Sequence, residues 1–247
     1  MNTGVPQYRM QAFAINGSQI GVWSDIRFMQ GVVPAWFDPE HWGGQAATIT
    51  TGGRGSAWVL DGSFGRAVLR HFRRGGFAAK FSADRFIWRG EHHVRSLQEF
   101  KMLQGMLALK LPVPIPLAAA YWRDGLFYRA AILLRFIESK SDFLAAVHSN
   151  PYYAPWELLG QTLAQFHKHR CHHADLNANN ILLGKDDRLY LIDWDKAQIE
   201  PQLGGWVNTV IARLERSLLK YRGPVNPDSI RDGIARLKRA HEQTLRS

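Results

Sequence analysis

His172-His173-Ala174-Asp175-Leu176-Asn177-Ala178-Asn179-Asn180-Ile181-Leu182-Leu183, with Leu191-Ile192-Asp193-Trp194-Asp195 shortly after it, is the stretch on which the reading of this chain turns. Asp175 is followed by four residues and then Asn180, and a second aspartate, Asp193, stands eighteen positions after the first. Phosphoryl transfer from a nucleotide needs a carboxylate to orient and deprotonate the acceptor hydroxyl. It also needs oxygen ligands for the Mg2+ that neutralises the phosphates. Asp175, Asn180 and Asp193 supply that set at workable spacing.

Asp and Asn are common in solvated turns, so an isolated His-x-Asp carries little weight. Here the flanking residues add to it. Ile181-Leu182-Leu183 reads as a buried strand, Gly184-Lys185-Asp186-Asp187 as a hairpin turn and Arg188-Leu189-Tyr190-Leu191-Ile192 as the returning strand. Closing that hairpin brings Asn180 and Asp193 to one end, the layout of the catalytic loop and metal-binding strand end in the protein-kinase-like fold.

Upstream of the loop, Leu158, Leu159, Leu163 and Phe166 share one face of a helix expected over residues 156–169, and a shorter helix is expected over 142–147. Two more are expected at about 205–221 and 228–246. Further toward the N-terminus, residues 121–136 read as two strands about Asp124-Gly125. Val94, Leu97, Phe100, Leu103 and Leu107 mark an amphipathic helix over residues 92–109, which the prolines at 112, 114 and 116 must end. Residues 47–50, 57–60 and 67–72 suit a small antiparallel sheet with turns at Gly52-Gly53-Arg54-Gly55-Ser56 and Asp61-Gly62. In the first turn, Gly53 and Gly55 would let backbone amides approach nucleotide phosphates.

The expected fold class is therefore α+β, a protein-kinase-like bilobal fold. Its antiparallel-sheet N-terminal lobe covers residues 1–137, its mostly helical C-terminal lobe covers 138–247, and a cleft is expected between them.

Composition narrows the setting. The chain has 247 residues, 46% of them hydrophobic and 21% charged, which suits a globular protein rather than a disordered or fibrous one. Its single cysteine, Cys171, excludes an internal disulfide and a multi-cysteine zinc site and favours a reducing compartment. No apolar run reaches the roughly 20 residues that span a bilayer, and residues 1–10 lack the order of a signal peptide, so a soluble or peripheral protein is expected. The formal charge of +10 implies an anionic partner: nucleic acid, an anionic membrane or a phosphorylated substrate.

The chain resembles the Kdo kinase branch of the lipopolysaccharide kinase family, a distant relative of the protein kinases. Kdo is 3-deoxy-D-manno-octulosonic acid. The resemblance is carried by Gly53-Arg54-Gly55, Val68-Leu69-Arg70-His71-Phe72-Arg73-Arg74-Gly75-Gly76, Leu111-Pro112-Val113-Pro114, His173-Ala174-Asp175-Leu176-Asn177 and Leu191-Ile192-Asp193-Trp194-Asp195. It implies transfer of the ATP γ-phosphoryl to a hydroxyl of the Kdo sugar on Kdo-lipid A, at the cytoplasmic face of an inner membrane. Asp175 matches the catalytic base, and Asn180 and Asp193 match the Mg2+ ligands. Arg70 occupies the place of the lysine that holds the ATP phosphates in protein kinases, a departure in reach and geometry, and Lys80 is the nearest spare lysine. Glu99 either fixes that cation or stands exposed beside Lys101. Asp195 adds a metal contact or only caps its turn.

His173 is expected to brace the loop through a backbone hydrogen bond, and that role outweighs a metal site built with His167, His169 and His172. Arg73, Arg74, Arg213, Arg216, Lys220 and their basic neighbours read one by one as solvated, and their sum suits an anionic membrane or lipid A phosphates. The residues from Phe28 to Trp42 are expected to pack rather than to touch lipid. Three rivals remain. A small-molecule kinase of the aminoglycoside or choline type is disfavoured by the basic charge. A catalytically silent binding module has no need of Asp175, Asn180 and Asp193. Nucleic-acid binding rests on charge alone and is not expected.

Overall fold

A computed structural model describes residues 8–15, 17–49, 57–73 and 84–247. The chain forms two compact units, residues 1–104 with 115–136, and residues 105–114 with 137–247.

The first unit is a sheet with a helix. Its elements are β1 (Tyr8–Ile15), β2 (Ser18–Asp25), β3 (Ala46–Ile49), β4 (Ala57–Gly62), β5 (Gly65–His71), β6 (Phe86–Ile87), α1 (Arg95–Ala108), β7 (Pro116–Asp124) and β8 (Phe127–Arg135). The strands run in the order β1-β2-β7-β8-β5-β4-β3, with β6 also pairing β8, and every pairing is antiparallel. β7 and β8 are central, which is why their middles read as unbroken apolar runs: Leu117 to Ala120 and Ala131 to Leu133 are fully buried.

The sheet is larger than the three short strands and one hairpin expected. The hairpin of β1 and β2 was not legible, because β1 mixes Arg9, Gln11 and partly exposed apolar residues without a clean alternation. The turn between β4 and β5 lies at Ser63-Phe64, two residues beyond Asp61-Gly62. Asp61 and Gly62 still pair, with Arg66 and Gly65, and Gly65 takes the positive φ of +85° that closing the hairpin requires.

Residues 34–37 and 39–45 form short 3-10 turns that lay Phe37 into a core with Met29, Val32, Leu60, Leu69 and Leu133. Trp36, Trp42 and Phe64 form ring contacts at 5.4–5.8 Å beside it. This aromatic stretch packs the unit.

α1 starts at Arg95, three residues later than expected, because Glu91–His93 form a separate 3-10 turn. Leu97, Phe100, Leu103 and Met106 are its buried apolar positions, continued by Val94 just before it, with Met106 in the place expected for Leu107. Lys110, at φ +59°, terminates the helix before Pro112 is reached.

The second unit contains β9 (Ser139–Asp142), α2 (Phe143–Ser149), α3 (Trp156–Lys168), β10 (Cys171–His172), β11 (Ile181–Gly184), β12 (Leu189–Leu191), β13 (Gln198–Ile199), α4 (Trp206–Lys220) and α5 (Pro227–Arg246). Side-chain caps open two of its helices. Asp142 accepts the Ala145 amide at 2.7 Å to open α2, and Asn226, followed by Pro227, accepts the Asp228 amide at 2.9 Å to open α5. α3 and α5 approach so closely that a Cβ on Gly160 would stand 2.3 Å from the Leu237 carbonyl oxygen, and one on Gly233 would stand 2.1 Å from the Trp156 ring. Arg236 of α5 also binds both carboxylate oxygens of Glu157, at 2.6 and 2.8 Å. Two small sheets, β12-β11-β9 and β10-β13, frame the loop between α3 and α4.

Candidate active site

The loop after β10 is fixed from its backbone outward. His173 is buried, and its Nε2 lies 2.9 Å from the carbonyl oxygen of Ile192 while the Asp175 amide donates to its Nδ1 at 3.3 Å. An N–H can donate only to an unprotonated ring nitrogen, so Nδ1 is the acceptor and Nε2 carries the proton. Burial holds this imidazole below its ordinary pKa, which suits the neutral tautomer the two bonds demand. His173 thus braces the loop. The Asp175 carbonyl in turn accepts from the side-chain amides of Asn177 and Asn180, both at 3.2 Å.

β11 and β12 pair from Ile181 opposite Leu191, and the Ile192 amide donates to the Asn180 carbonyl at 2.9 Å. Asn180 and Asp193 therefore stand at one end of the hairpin. Because the Asn180 amide nitrogen is committed to the Asp175 carbonyl, the amide oxygen is the atom this side chain presents elsewhere. Asp193 sits at φ +63°, the left-handed region that aspartate tolerates better than most residues and that turns the chain sharply after β12. Trp194 anchors that turn: it is buried, donates Nε1–H to the Leu191 carbonyl at 2.8 Å and stacks on Phe166 at 5.0 Å. An amide oxygen and a carboxylate are hard oxygen donors of the kind Mg2+ prefers, so this pair fits that cation.

Asp175 itself is exposed, and its Oδ1 accepts from both Nε (3.0 Å) and Nη2 of Arg213 on α4. α4 is aligned for this by Ser217, whose Oγ accepts the Ala178 amide at 3.2 Å. Arg213 lies four residues, about one helical turn, before Ser217 and so projects from the same face. In the sequence Arg213 is one of many surface bases, and nothing joins it to Asp175. The signal was weak: only the buried spacing of Val207, Val210, Ile211, Leu214 and Leu218 shows which face of α4 looks outward.

In the first unit, Arg70 of β5 forms an ion pair with Glu99 of α1, and Glu99 is 2% exposed. Of the two alternatives for Glu99, pairing with Arg70 is the one found. The Arg70 guanidinium also lies over the Phe72 ring at 4.8 Å. Next to it, His71 Nε2 lies 2.7 Å from the Phe37 carbonyl oxygen, and burial lowers its pKa. Gly53, Gly55 and Lys80 lie outside the described residues.

His167, His241 and His172 have structural partners. His167 Nδ1 and His241 Nε2 are 2.8 Å apart, and His172 Nδ1 is 2.7 Å from Glu200 Oε1. Among the described residues, no group of three or more His, Cys, Asp or Glu is placed to hold a metal ion. Burial pushes the Cys171 thiol up to about 11, which makes it a poor nucleophile.

The model of the lipopolysaccharide kinase (Kdo/WaaP) family matches residues 39–241. A 3-deoxy-D-manno-octulosonic acid kinase of Xylella fastidiosa (strain 9a5c) is 44% identical over 218 residues, 88% of each chain. Enzymes of the same description from Stenotrophomonas maltophilia (strain K279a) and Xanthomonas axonopodis pv. citri (strain 306) are 44% and 43% identical over 206 residues, 83% of each chain. A solved structure of WaaP in complex with acyl carrier protein superposes with a TM-score of 0.55 at 16% identity, covering 88% of this chain and 85% of that one. At that identity the likeness speaks to the fold alone, an α+β arrangement of the protein-kinase-like kind.

Proposed function

Since this chain belongs to the lipopolysaccharide kinase (Kdo/WaaP) family, we propose that it transfers the γ-phosphoryl group of ATP to a hydroxyl of the Kdo sugar on Kdo-lipid A, within lipopolysaccharide core biosynthesis. The observation that carries this reading is the near full-length 44% identity to an enzyme described as a Kdo kinase. The arrangement of Asp175, Asn180 and Asp193 supports it chemically.

Asp175 is the base. Its carbonyl is held by two asparagine amides and its amide by His173, so its carboxylate starts from a fixed backbone and meets the acceptor hydroxyl without reorganisation. It accepts the hydroxyl proton as the oxygen attacks phosphorus in line with the departing ADP. Asn180 and Asp193 would hold Mg2+, whose chemistry there would be to neutralise charge on the phosphate oxygens. Arg70, oriented by Glu99, is the cation for the nucleotide phosphates, with Gly53 and Gly55 contributing backbone amides. The +10 charge favours peripheral attachment to an anionic membrane, at the cytoplasmic face of the inner membrane where the lipid acceptor would be met. Among the described residues no helix is long and apolar enough to cross a membrane.

The test is transfer of labelled γ-phosphate from Mg·ATP to Kdo-lipid A, beside lipid A lacking Kdo and an aminoglycoside. Label is expected on the Kdo-bearing lipid alone, and Asp175→Ala should lower the rate by roughly 10²–10⁴-fold. Label on the aminoglycoside would move the chain to the small-molecule kinases. No label on any acceptor would favour a silent binding module.

A further inference from the structure

We propose that Arg213 is the acceptor-recognition residue of this site and binds the carboxylate of the sugar acid being phosphorylated. The inference rests on the activity proposed above and specifies how its acceptor is chosen.

Both Arg213 contacts to Asp175, from Nε and Nη2, go to Oδ1. That leaves Oδ2 as the oxygen toward which an acceptor hydroxyl can donate. A guanidinium has five N–H groups in a rigid planar fork, and two of them suffice for these contacts, so three remain. The side chains of Arg213 and Asp175 are 46% and 58% exposed, so the fork and the base can both be reached from solvent. Ser217, one turn further along α4 and bonded to the Ala178 amide, keeps the helix against the loop, so Arg213 is held at the site by more than its own ion pair.

An acceptor whose hydroxyl reaches Asp175 must therefore lie against a fixed, permanently charged fork. Kdo is an acid, and its carboxylate lies within the same small molecule as its hydroxyls. Arginine pairs with carboxylates bidentately, which adds geometric selection to charge. A neutral sugar could offer the guanidinium only uncharged hydroxyl oxygens, without the charge or the paired geometry of a carboxylate, and a cationic acceptor would be repelled. Arg213, standing beside the base, thus selects an anionic acceptor.

The experiment compares Kdo-lipid A with the same lipid bearing a methyl ester or primary amide at the Kdo carboxylate, using wild type, Arg213→Gln and Arg213→Lys. Steady-state kcat and KM are measured for the acceptor and for ATP. Wild type should lose roughly 10- to 100-fold in kcat/KM on the masked acceptor, mostly through acceptor KM, as expected for loss of hydrogen bonds to a charged group. Arg213→Gln should lose a similar factor on the free acid, with no further loss on the masked acceptor and an unchanged ATP KM. Arg213→Lys, which keeps the charge without the fork, should fall between.

Equal use of both acceptors by wild type would leave the proposed activity standing and overturn this role. An equal fall of kcat on both acceptors in Arg213→Gln would also overturn it, leaving Arg213 to position Asp175 or to serve the transferring phosphoryl group. If wild type phosphorylates neither lipid, the proposed activity fails and takes this inference with it.

Discussion

His173 and Asp175 are joined by a hydrogen bond from the Asp175 amide to the His173 Nδ1 at 3.3 Å, and the opposite ring nitrogen of His173 donates to the Ile192 carbonyl at 2.9 Å. One buried imidazole therefore links the residue proposed as base to the residue preceding Asp193. Replacing it by alanine would leave a carbonyl and an amide without that partner, at about 1–3 kcal/mol for each such group. His173→Ala should lower both the unfolding free energy and kcat while leaving acceptor KM nearly constant. Asparagine should rescue little, because it cannot reach both partners from its shorter side chain. Retention of full kcat in His173→Ala would show that Asp175 is positioned without it.

The Arg70–Glu99 pair gives a second test. Glu99 is almost completely buried and Arg70 largely so, at 1% and 22% side-chain exposure, which makes this an ion pair whose members are costly to separate. Arg70→Ala, which strips this cation from the carboxylate, should cost up to about 3–5 kcal/mol of stability. Arg70→Ala combined with Glu99→Gln should cost less than the sum of the two single changes. A double-mutant cycle by urea unfolding measures the coupling, and additivity would show that the pair contributes nothing as a pair. Arg70→Lys should preserve much of the stability but raise the ATP KM, since a point charge replaces the fork.

Asn180 is expected to matter through its amide oxygen. Asn180→Ala removes an oxygen donor proposed for Mg2+ together with the bond to the Asp175 carbonyl. The Mg2+ concentration for half-maximal rate should rise by at least the roughly 10- to 100-fold that outer-shell partners alone cost. Titrating Mg2+ at fixed free ATP reads this directly, and an unshifted curve would remove Asn180 from the metal site.

How much of this was visible beforehand depended on the range of the contacts. The β11–β12 hairpin and the convergence of Asn180 with Asp193 were legible, because strand, turn and strand follow one another within about a dozen residues and local pattern fixes their register. The helices from α2 to α5 were legible for the same reason. β9 was not, since Ser139-Lys140-Ser141-Asp142 contains no apolar residue and becomes a strand only by pairing with β11. Arg213 reaches Asp175 across 38 residues of sequence, and no local periodicity encodes such a contact. Glu99 was visible as a candidate, but its burial depends on the sheet beneath α1, so in the sequence an exposed glutamate stood close behind the pairing with Arg70.

Close packing of α3 on α5 predicts opposite signs for two similar substitutions. A Cβ at Gly233 would stand 2.1 Å from the Trp156 ring, and that ring is fixed by a 2.7 Å bond from its Nε1–H to the Pro151 carbonyl. Gly233→Ala should therefore destabilise by about 1–3 kcal/mol through overpacking, despite alanine's higher helix propensity. Gly105 in α1 is exposed, with nothing within 4 Å of its Cβ position, so Gly105→Ala should stabilise by about 0.5–1 kcal/mol. Thermal or urea unfolding of both variants checks the signs, and a stabilised Gly233→Ala would mean that the helices have room to separate.

The buried histidine pair sets a pH dependence. His167 Nδ1 lies 2.8 Å from His241 Nε2, with the Trp206 ring against His167 at 5.0 Å and with His172, itself paired with Glu200, stacked on the same indole. Burial, followed by repulsion from His241 and His172, lowers the His167 pKa from 6.5 to about 3, and burial also lowers that of His241, partly opposed by the nearby Glu242. Between about 3 and 6.5 the unfolded chain binds a proton at His167 that the folded chain refuses. The neutral pair's contribution is therefore fully present above pH 6.5 and is lost as pH falls through that window, at no more than about 1.4 kcal/mol per pH unit for each such group. Urea unfolding at pH 7.5, 6.5 and 5.5 should show stability declining on acidification before most carboxylates titrate. His167→Phe, which fills the same apolar site without a titrating group, should flatten that decline by up to one group's share. An unchanged slope in the variant would show that His167 titrates alike in the folded and unfolded chain and plays no part in the acid loss.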